Sequence, residues 1–309
     1  MSIPNTFEAP VNPRLQLRSL VRQRRTVAAG CFDSLSAFLA ERAGFDAIHI
    51  TGFGVEASML AGPDMGLVTA TELALHVDRI TSVIKVPAIC DIDAGFGSIE
   101  NIHRTILLME RAGIAAIHIE DTDMPKRNPF VDGRTLFSRE AATGRIRAAC
   151  AARTDQDFMI IARSDADEIS MEELVTRCNL YLEAGADMAM PITSKVNGVR
   201  MQDLSPEQQF SVHRSVVERI EGPVFGVAVP VGYQATHMLE AGYALMALPM
   251  LTLMPAVRAM WASLEKARAE IVPGNKSRLV NGSLDSVVDL LQALGLDEYI
   301  DRQHRFYRR

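Results

Sequence analysis

The residues in this chain best suited to chemistry gather at the polar ends of short apolar runs. Asp64 stands in "AGPDMG", Asp91 and Asp93 in "CDIDAGFG", Glu120 and Asp121 in "HIEDT", Asp165 in "ARSDAD", and Arg163 follows "FMIIA" directly. Asp91 and Asp93 are two apart, so on a continuing strand they point the same way, toward one ligand. Converging acids with a third from the next strand suit a hard divalent cation such as Mg2+, which takes one or two carboxylates, waters and substrate oxygens. The same acids have a second reading, as helix caps or partners of arginines. Arg163 presents a planar fork for a carboxylate or phosphate, and an ion pair with Glu120 or Asp165 is compatible with that role. Just beyond Glu120 and Asp121 the polar run Lys126-Arg127-Asn128 brings cations to the acids.

The remaining candidates are weaker. "TGFG" at 51–54 and "AGFG" at 94–97 read as glycine-bearing strand-to-helix turns, whose backbone N–H groups suit an anionic oxygen, although turn geometry alone explains glycine there. His49 and His118 sit between isoleucines inside apolar runs and read as hydrogen-bonded core histidines, and Cys90 as a small buried hydrophobe. No Ser-His-Asp order, HExxH, P-loop or dinucleotide fingerprint is present.

The elements that must carry these residues alternate. Apolar, β-branched runs at 26–29, 47–51, 87–91, 115–120, 158–162, 188–191, 224–228 and 245–248 read as strands, with amphipathic helices between them at 34–43, 70–83, 101–112 and 139–151 among others. Several helices close on "AG" before the next strand, where glycine permits a left-handed cap. Eight such units predict a (β/α)8 TIM-type barrel rather than an open sheet, with functional residues at the C-terminal ends of the strands. Residues 1–270 are expected to form this barrel with an N-terminal extension. Residues 271–309 are expected to form a helical extension whose apolar faces, with the helix at 255–270, suit a neighbouring subunit.

Length and composition agree with an ordinary soluble globular protein: 309 residues, 48% hydrophobic, 23% charged. A net charge of -6 gives no reason to expect nucleic acid or an anionic membrane, and the basic end "RQHRFYRR" reads as a solvated tail or subunit contact. Four cysteines without CxxC spacing suggest neither zinc nor a disulfide framework. With no signal-peptide pattern at the start and no apolar run of membrane-spanning length, a cytoplasmic protein is expected.

Taken in order, "CFDSLSAFLAERAGFDAIHITGFG", "PDMG", "CDIDAGFGS", "AGIAAIHIEDTDMPKR", "DFMIIARSDA" and "YLEAGADM" resemble the isocitrate lyase/phosphoenolpyruvate mutase superfamily over residues 15–265. That resemblance implies an α/β barrel, commonly a homotetramer with its last helix exchanged between subunits. It also implies Mg2+ (Mn2+ as the alternative ion) and 2-oxo or 2-hydroxy acid substrates, or phosphonates, reacting through a pyruvate-type enolate. Carried onto this chain, Asp91 would hold the metal mainly through water, with Asp93, Glu120 and Asp64 around it. Thr51, Gly52 and Phe53, through the backbone after Thr51, would hold the substrate's carboxylate end with Arg163 and Asp64.

The resemblance further implies that the segment after "IED" is a gating loop. Carbon–carbon lyases of the superfamily carry K-[KR]-C-G-H there, whose cysteine acts as acid and base at the enolate carbon. This chain has Lys126-Arg127-Asn128-Pro129-Phe130, followed by Asp132-Gly133-Arg134, and so resembles the mutase pattern P-K-[KR]-N-S more closely. The leading expectation is therefore phosphoenolpyruvate/phosphonopyruvate interconversion, with Arg163, Lys126, Arg127 and Asn128 as catalytic residues. Pro191 and Ile192 stand where lyases usually have glutamate and mutases histidine, and a lyase, an oxaloacetate decarboxylase or a hydrolase stays open beside it. A barrel that binds a dicarboxylate without catalysis is the reading from another class.

Overall fold

The computed structural model describes residues 12–271 and 284–306. The expected connector at 272–278, the chain start and the last three residues lie outside them. Eight parallel strands form the barrel: β1 (Val27–Cys31), β2 (Ile48–Ile50), β3 (Ala88–Asp91), β4 (Ala116–Glu120), β5 (Met159–Ser164), β6 (Met188–Pro191), β7 (Phe225–Gly226) and β8 (Leu245–Leu248). They run β7-β8-β1-β2-β3-β4-β5-β6, and a parallel bridge between Ala189 and Val224 closes β6 on β7. The (β/α)8 expectation holds.

Period-two alternation sorts each strand into two layers. Outward residues such as Ile48, Cys90, Ile117, Ile119 and Ile160 pack beneath the helices, while Ile89, Ile161, Met190, Ile192 and Phe225 pack inside the barrel. Cys90 is thus the buried small hydrophobe expected of it. Along the inward row the strands become polar as they climb: His49 on β2, Asp91 on β3, His118 and Glu120 on β4, Arg163 on β5.

The helices are α1 (Pro13–Gln23), which lays Leu17 and Val21 among the inward residues, then α2 (Ser34–Arg42), α3 (Gly52–Leu60), α4 (Ala70–Thr81), α5 (Ile99–Arg111), α6 (Arg139–Ala152), α7 (Met171–Glu183), α8 (Pro206–Arg219), α9 (Ala235–Glu240) and α10 (Leu253–Ile271), of which α10 buries only Leu253 and Met254. Asp33, Thr69 and Ser205 start their helices with reciprocal capping boxes. At the other ends Gly44, Gly113, Gly185 and Gly242 all take positive φ, as the "AG" pattern predicts. Beyond the barrel, α11 (Val287–Ala293) and α12 (Leu296–Phe306) lay Leu290, Leu291 and Leu296 with Leu253 and Met254 against Phe53 and Met65.

Two expectations change. Thr51, expected as the last residue of a strand at 47–51, is instead the cap of α3 in the "TGFG" strand-to-helix turn, accepting the N–H of Gly54 at 3.1 Å. β7 is only two residues long: the backbone leaves the sheet after Gly226 instead of continuing to 228.

Candidate active site

The floor of the site is a row of inward side chains in register. Asp91 pairs with His118 across β3 and β4, Glu120 with Arg163 across β4 and β5, and Arg163 with Met190 across β5 and β6. All of the charged members are buried. The guanidinium of Arg163 lies 2.9 Å from Oε2 of Glu120 and 3.9 Å from Asp91, and grips Asp165 with two bonds of 2.7 and 3.0 Å. Both anticipated partners of Arg163 are therefore real.

Asp165 is in turn held from behind. Arg134 donates to its Oδ2 at 2.7 Å, and Asp121 accepts its backbone N–H at 2.9 Å. Asp121 also accepts from Ser164 and Tyr181, both at 2.7 Å, so it serves this support rather than the mouth of the barrel. Despite the cost of burial, Arg163 and Arg134 hold the Asp165 carboxyl below its usual range.

Asp91 and Asp93 converge for a different reason than strand alternation. The strand ends at Asp91, and Asp93 sits at φ 48, in the left-handed region, with its N–H donating to Oδ1 of Asp91 at 3.0 Å. This turn, not a continuing pleat, brings both acids to one place. Beneath them, His118 reaches Asp91 at 3.5 Å and meets His49 ring to ring at 2.9 Å between the two Nε2 atoms. Burial lowers both imidazoles, His49 to about 3 and His118 to about 4, so they stay neutral. The opening of α3 fits as closely: a Cβ on Gly52 would lie 2.7 Å from Oδ2 of Asp91.

Above the floor lies the 124–134 segment. The Lys126 ammonium sits between carboxylates, 2.6 Å from Oδ1 of Asp64 and also hydrogen-bonded to Asp93, while Asn128 donates to Oδ2 of Asp64 at 2.5 Å. Both side chains are buried, so the segment covers the cluster, and about 10 Å³ remains beside Asp91, Asp93 and Lys126. Burial works against a charged Lys126, but Asp64, Asp93 and Asp91 outweigh it and raise its pKa well above the ordinary lysine value. Burial pushes the Asp93 carboxyl up to about 6 and that of Glu120 up to about 8, against the pull of the nearby cations. A larger hollow of about 430 Å³ lies between α8 and α9, lined by Phe210, Arg214 and Tyr233, and none of the cluster residues borders it.

Other expected residues divide. Arg127 is not brought into the cluster; it donates to the Asp132 carbonyl at 3.1 Å, because the segment turns back on itself there. Phe53 uses its side chain to seat the C-terminal helices. Ile192 faces inward beside Met190, so the wall over β6 is apolar. One contributor escaped the sequence analysis: buried Glu56 accepts the N–H groups of Met65 and Leu67, both at 2.7 Å. It thereby fixes the loop that holds Asp64 at φ 61. No sequence pattern marks a mid-helix glutamate for that work.

Among the described residues, no group of three or more His, Cys, Asp or Glu is gathered as a direct metal cage. The donor set still fits Mg2+, which keeps several waters and needs one or two carboxylates. Asp91 and Glu120 are buried and Asp93 half-buried, all hard oxygen donors, and Oε2 of Glu120 has Arg163 beside it as an ion-pair partner but accepts no aligned hydrogen bond.

The comparisons point the same way. The phosphoenolpyruvate phosphomutase family model matches residues 17–271. The 2-methylisocitrate lyase of Aeropyrum pernix is 34% identical, over 96% of this chain and 92% of its own, and the 2,3-dimethylmalate lyase of Eubacterium barkeri is 41% identical over 58% and 62%. Among solved structures, an oxaloacetate acetylhydrolase bound to 3,3-difluorooxalacetate superposes with a TM-score of 0.75 at 27% identity, covering 96% of this chain and 97% of that one. A phosphonopyruvate hydrolase holding oxalate and Mg2+ superposes at 0.70 and 27%, covering 96% and 100%.

Proposed function

Because the chain belongs to the phosphoenolpyruvate mutase/isocitrate lyase superfamily of enzymes, we propose that it is a Mg2+-dependent enzyme that cleaves a carbon–carbon bond at C3 of a 2-oxo or 2-hydroxy diacid, an oxaloacetate-type substrate foremost. The observation that carries this reading is the lid: its buried groups are an ammonium and an amide, with no thiol to return a proton to carbon. Decarboxylation tolerates that lack. The C3–C4 bond breaks, CO2 leaves, the pair of electrons from that bond passes into the enolate, and water admitted after bond breaking supplies the proton at C3.

In this reading a bound Mg2+, carried by Asp91 with Asp93 and Glu120 around it, supplies Lewis-acid stabilisation of developing negative charge. Arg163 binds the carboxylate end and stabilises the enolate oxygen from the floor. The N-terminal turn of α3, at Gly52 and Phe53 after Thr51, supports the same anionic end. Lys126 and Asn128 close the site and exclude water during bond breaking.

The mutase reading drawn from the loop becomes the second one, since the 2-methylisocitrate lyase that matches over nearly the whole chain and the 2,3-dimethylmalate lyase that matches over part of it are both lyases by name. The Pro125-Lys126-Arg127-Asn128 run is what favours it. A pyruvate-release assay with Mg2+ over oxaloacetate, methylisocitrate, dimethylmalate and phosphonopyruvate separates the two, with phosphorus NMR on the last. Pyruvate from one of the carbon substrates is expected. Turnover of phosphonopyruvate alone, or silence across the panel, overturns the proposal.

The same proposal includes a cytoplasmic homotetramer with an exchanged C-terminal helix. Exposed Met260 and Leu264 on α10 support the association, and no described helix is long and apolar enough to cross a membrane. Light scattering reads the mass directly, and a monomer would refute the assembly.

A further inference from the structure

The lid is also gripped from outside the cluster. After β6 the chain forms a short antiparallel ribbon, Lys195–Val196 against Val199–Arg200, turned by Asn197 and Gly198 at φ 49 and 81. Two successive left-handed residues of this type make the tight hairpin turn that fixes register. Register makes Lys195 and Arg200 direct cross-strand partners. Like charges facing each other destabilise a ribbon unless an opposite charge offsets them.

Asp132, on the return of the lid, is that charge. Its Oδ1 lies 2.9 Å from Nζ of Lys195 and its Oδ2 lies 2.6 Å from Nη2 of Arg200. Lys195 also pairs with Glu168 at 2.8 Å, and Glu168 accepts the N–H of Gly133 at 3.3 Å. On its other side Asp132 accepts Arg127 of the lid through its carbonyl. One residue thus joins lid and ribbon.

We propose that Lys195 and Arg200 are positioning residues that clasp the lid shut through Asp132. The inference rests on reading 124–134 as the lid of the proposed site. The side chains of Asp132 and Arg200 are 59% and 46% exposed, so solvent and salt weaken the clasp. Arg134 two residues later is fully sealed among Asp165, Asp167 and Glu168, so its ion pairs do not share that sensitivity. Closure of the lid is therefore tuned by ionic strength at a point outside the chemistry.

Hydrogen exchange of the lid amides at 126–131 in the full chain tests this without any turnover, so a wrong reaction assignment leaves the result readable. Asp132→Asn, Lys195→Gln and Arg200→Gln are each expected to speed lid exchange about three- to tenfold. The Asp132→Asn/Lys195→Gln double variant should exchange no faster than Asp132→Asn alone. Arg214→Gln, which removes the exposed Arg214–Glu218 pair on α8, should leave the lid unchanged. Raising NaCl to about 1 M should speed exchange in the parent protein and not in Asp132→Asn. Unchanged exchange in the three variants, or an equal salt effect in parent and Asp132→Asn, overturns the proposal.

Discussion

Asn128 donates its side-chain amide to Oδ2 of Asp64 at 2.5 Å, and with that bond a lid residue docks on a loop 64 positions earlier. The acceptor is charged and both groups are buried, which places the bond among the stronger kind. Asn128→Ala is expected to lower kcat/KM about 10- to 100-fold, the span of one charge-assisted bond. Steady-state kinetics would show it, and a loss within twofold would mean that the lid closes without this contact. Asn128→Cys is expected not to improve carbon–carbon cleavage, since Pro129-Phe130 still stand in place of the lyases' Gly-His.

Asp91 is the acid on which the other floor groups converge, with His118, Asp93, Arg163 and Gly52 all against it. Asp91→Ala should abolish Mg2+-dependent turnover and remove Mg2+ binding in calorimetry. Turnover at the parent level would withdraw the metal from this residue.

Arg163→Lys tests the floor as a structure and as a site at once. A lysine cannot reproduce the two-pronged grip on Asp165, and Glu120 loses its neighbour. Breaking a buried pair of this kind costs about 3–5 kcal/mol, so the urea midpoint should fall visibly at pH 7. A midpoint unchanged from the parent would show that the pairs contribute little.

Away from the site, His213 packs against Tyr243, whose hydroxyl lies 2.8 Å from its Nδ1, and burial lowers its pKa to about 4. A histidine kept neutral by the fold contributes stability that is complete above its ordinary pKa near 6.5. That contribution disappears as pH falls through about 4, because the unfolded chain takes up the proton first. The loss amounts to about 3 kcal/mol at most. Urea titrations at pH 7 and 4.5 should therefore show a smaller acid loss for His213→Gln than for the parent; equal losses would clear His213 of the role.

Much of this architecture can be read from the chain. Local periodicity marks the eight strands, and the strand-end rule picks out Asp91, Glu120 and Arg163 before any pairing is known. What stays hidden is pairing between distant segments. Glu56 looks like any helix glutamate until its carboxylate meets the amides of Met65 and Leu67. Arg134 lies 31 positions from Asp165, and Tyr181 lies 60 from Asp121. Neither distance has a sequence period. Two misreadings were local. Thr51 is a cap rather than a strand end, and "VNGV" at 196–199 carries the Asn-Gly signal of a hairpin that a search for acids passes over.

The inward row of the barrel has a consequence for redesign. Asp165, Arg134 and Asp121 brace Arg163 from behind without a hydrogen bond to the side chains of 126–130 or Ile192. Substrate range can therefore be varied in a small library confined to 126–130 and the β6 rim, leaving Arg134 untouched, while the braced arginine is inherited intact by every member.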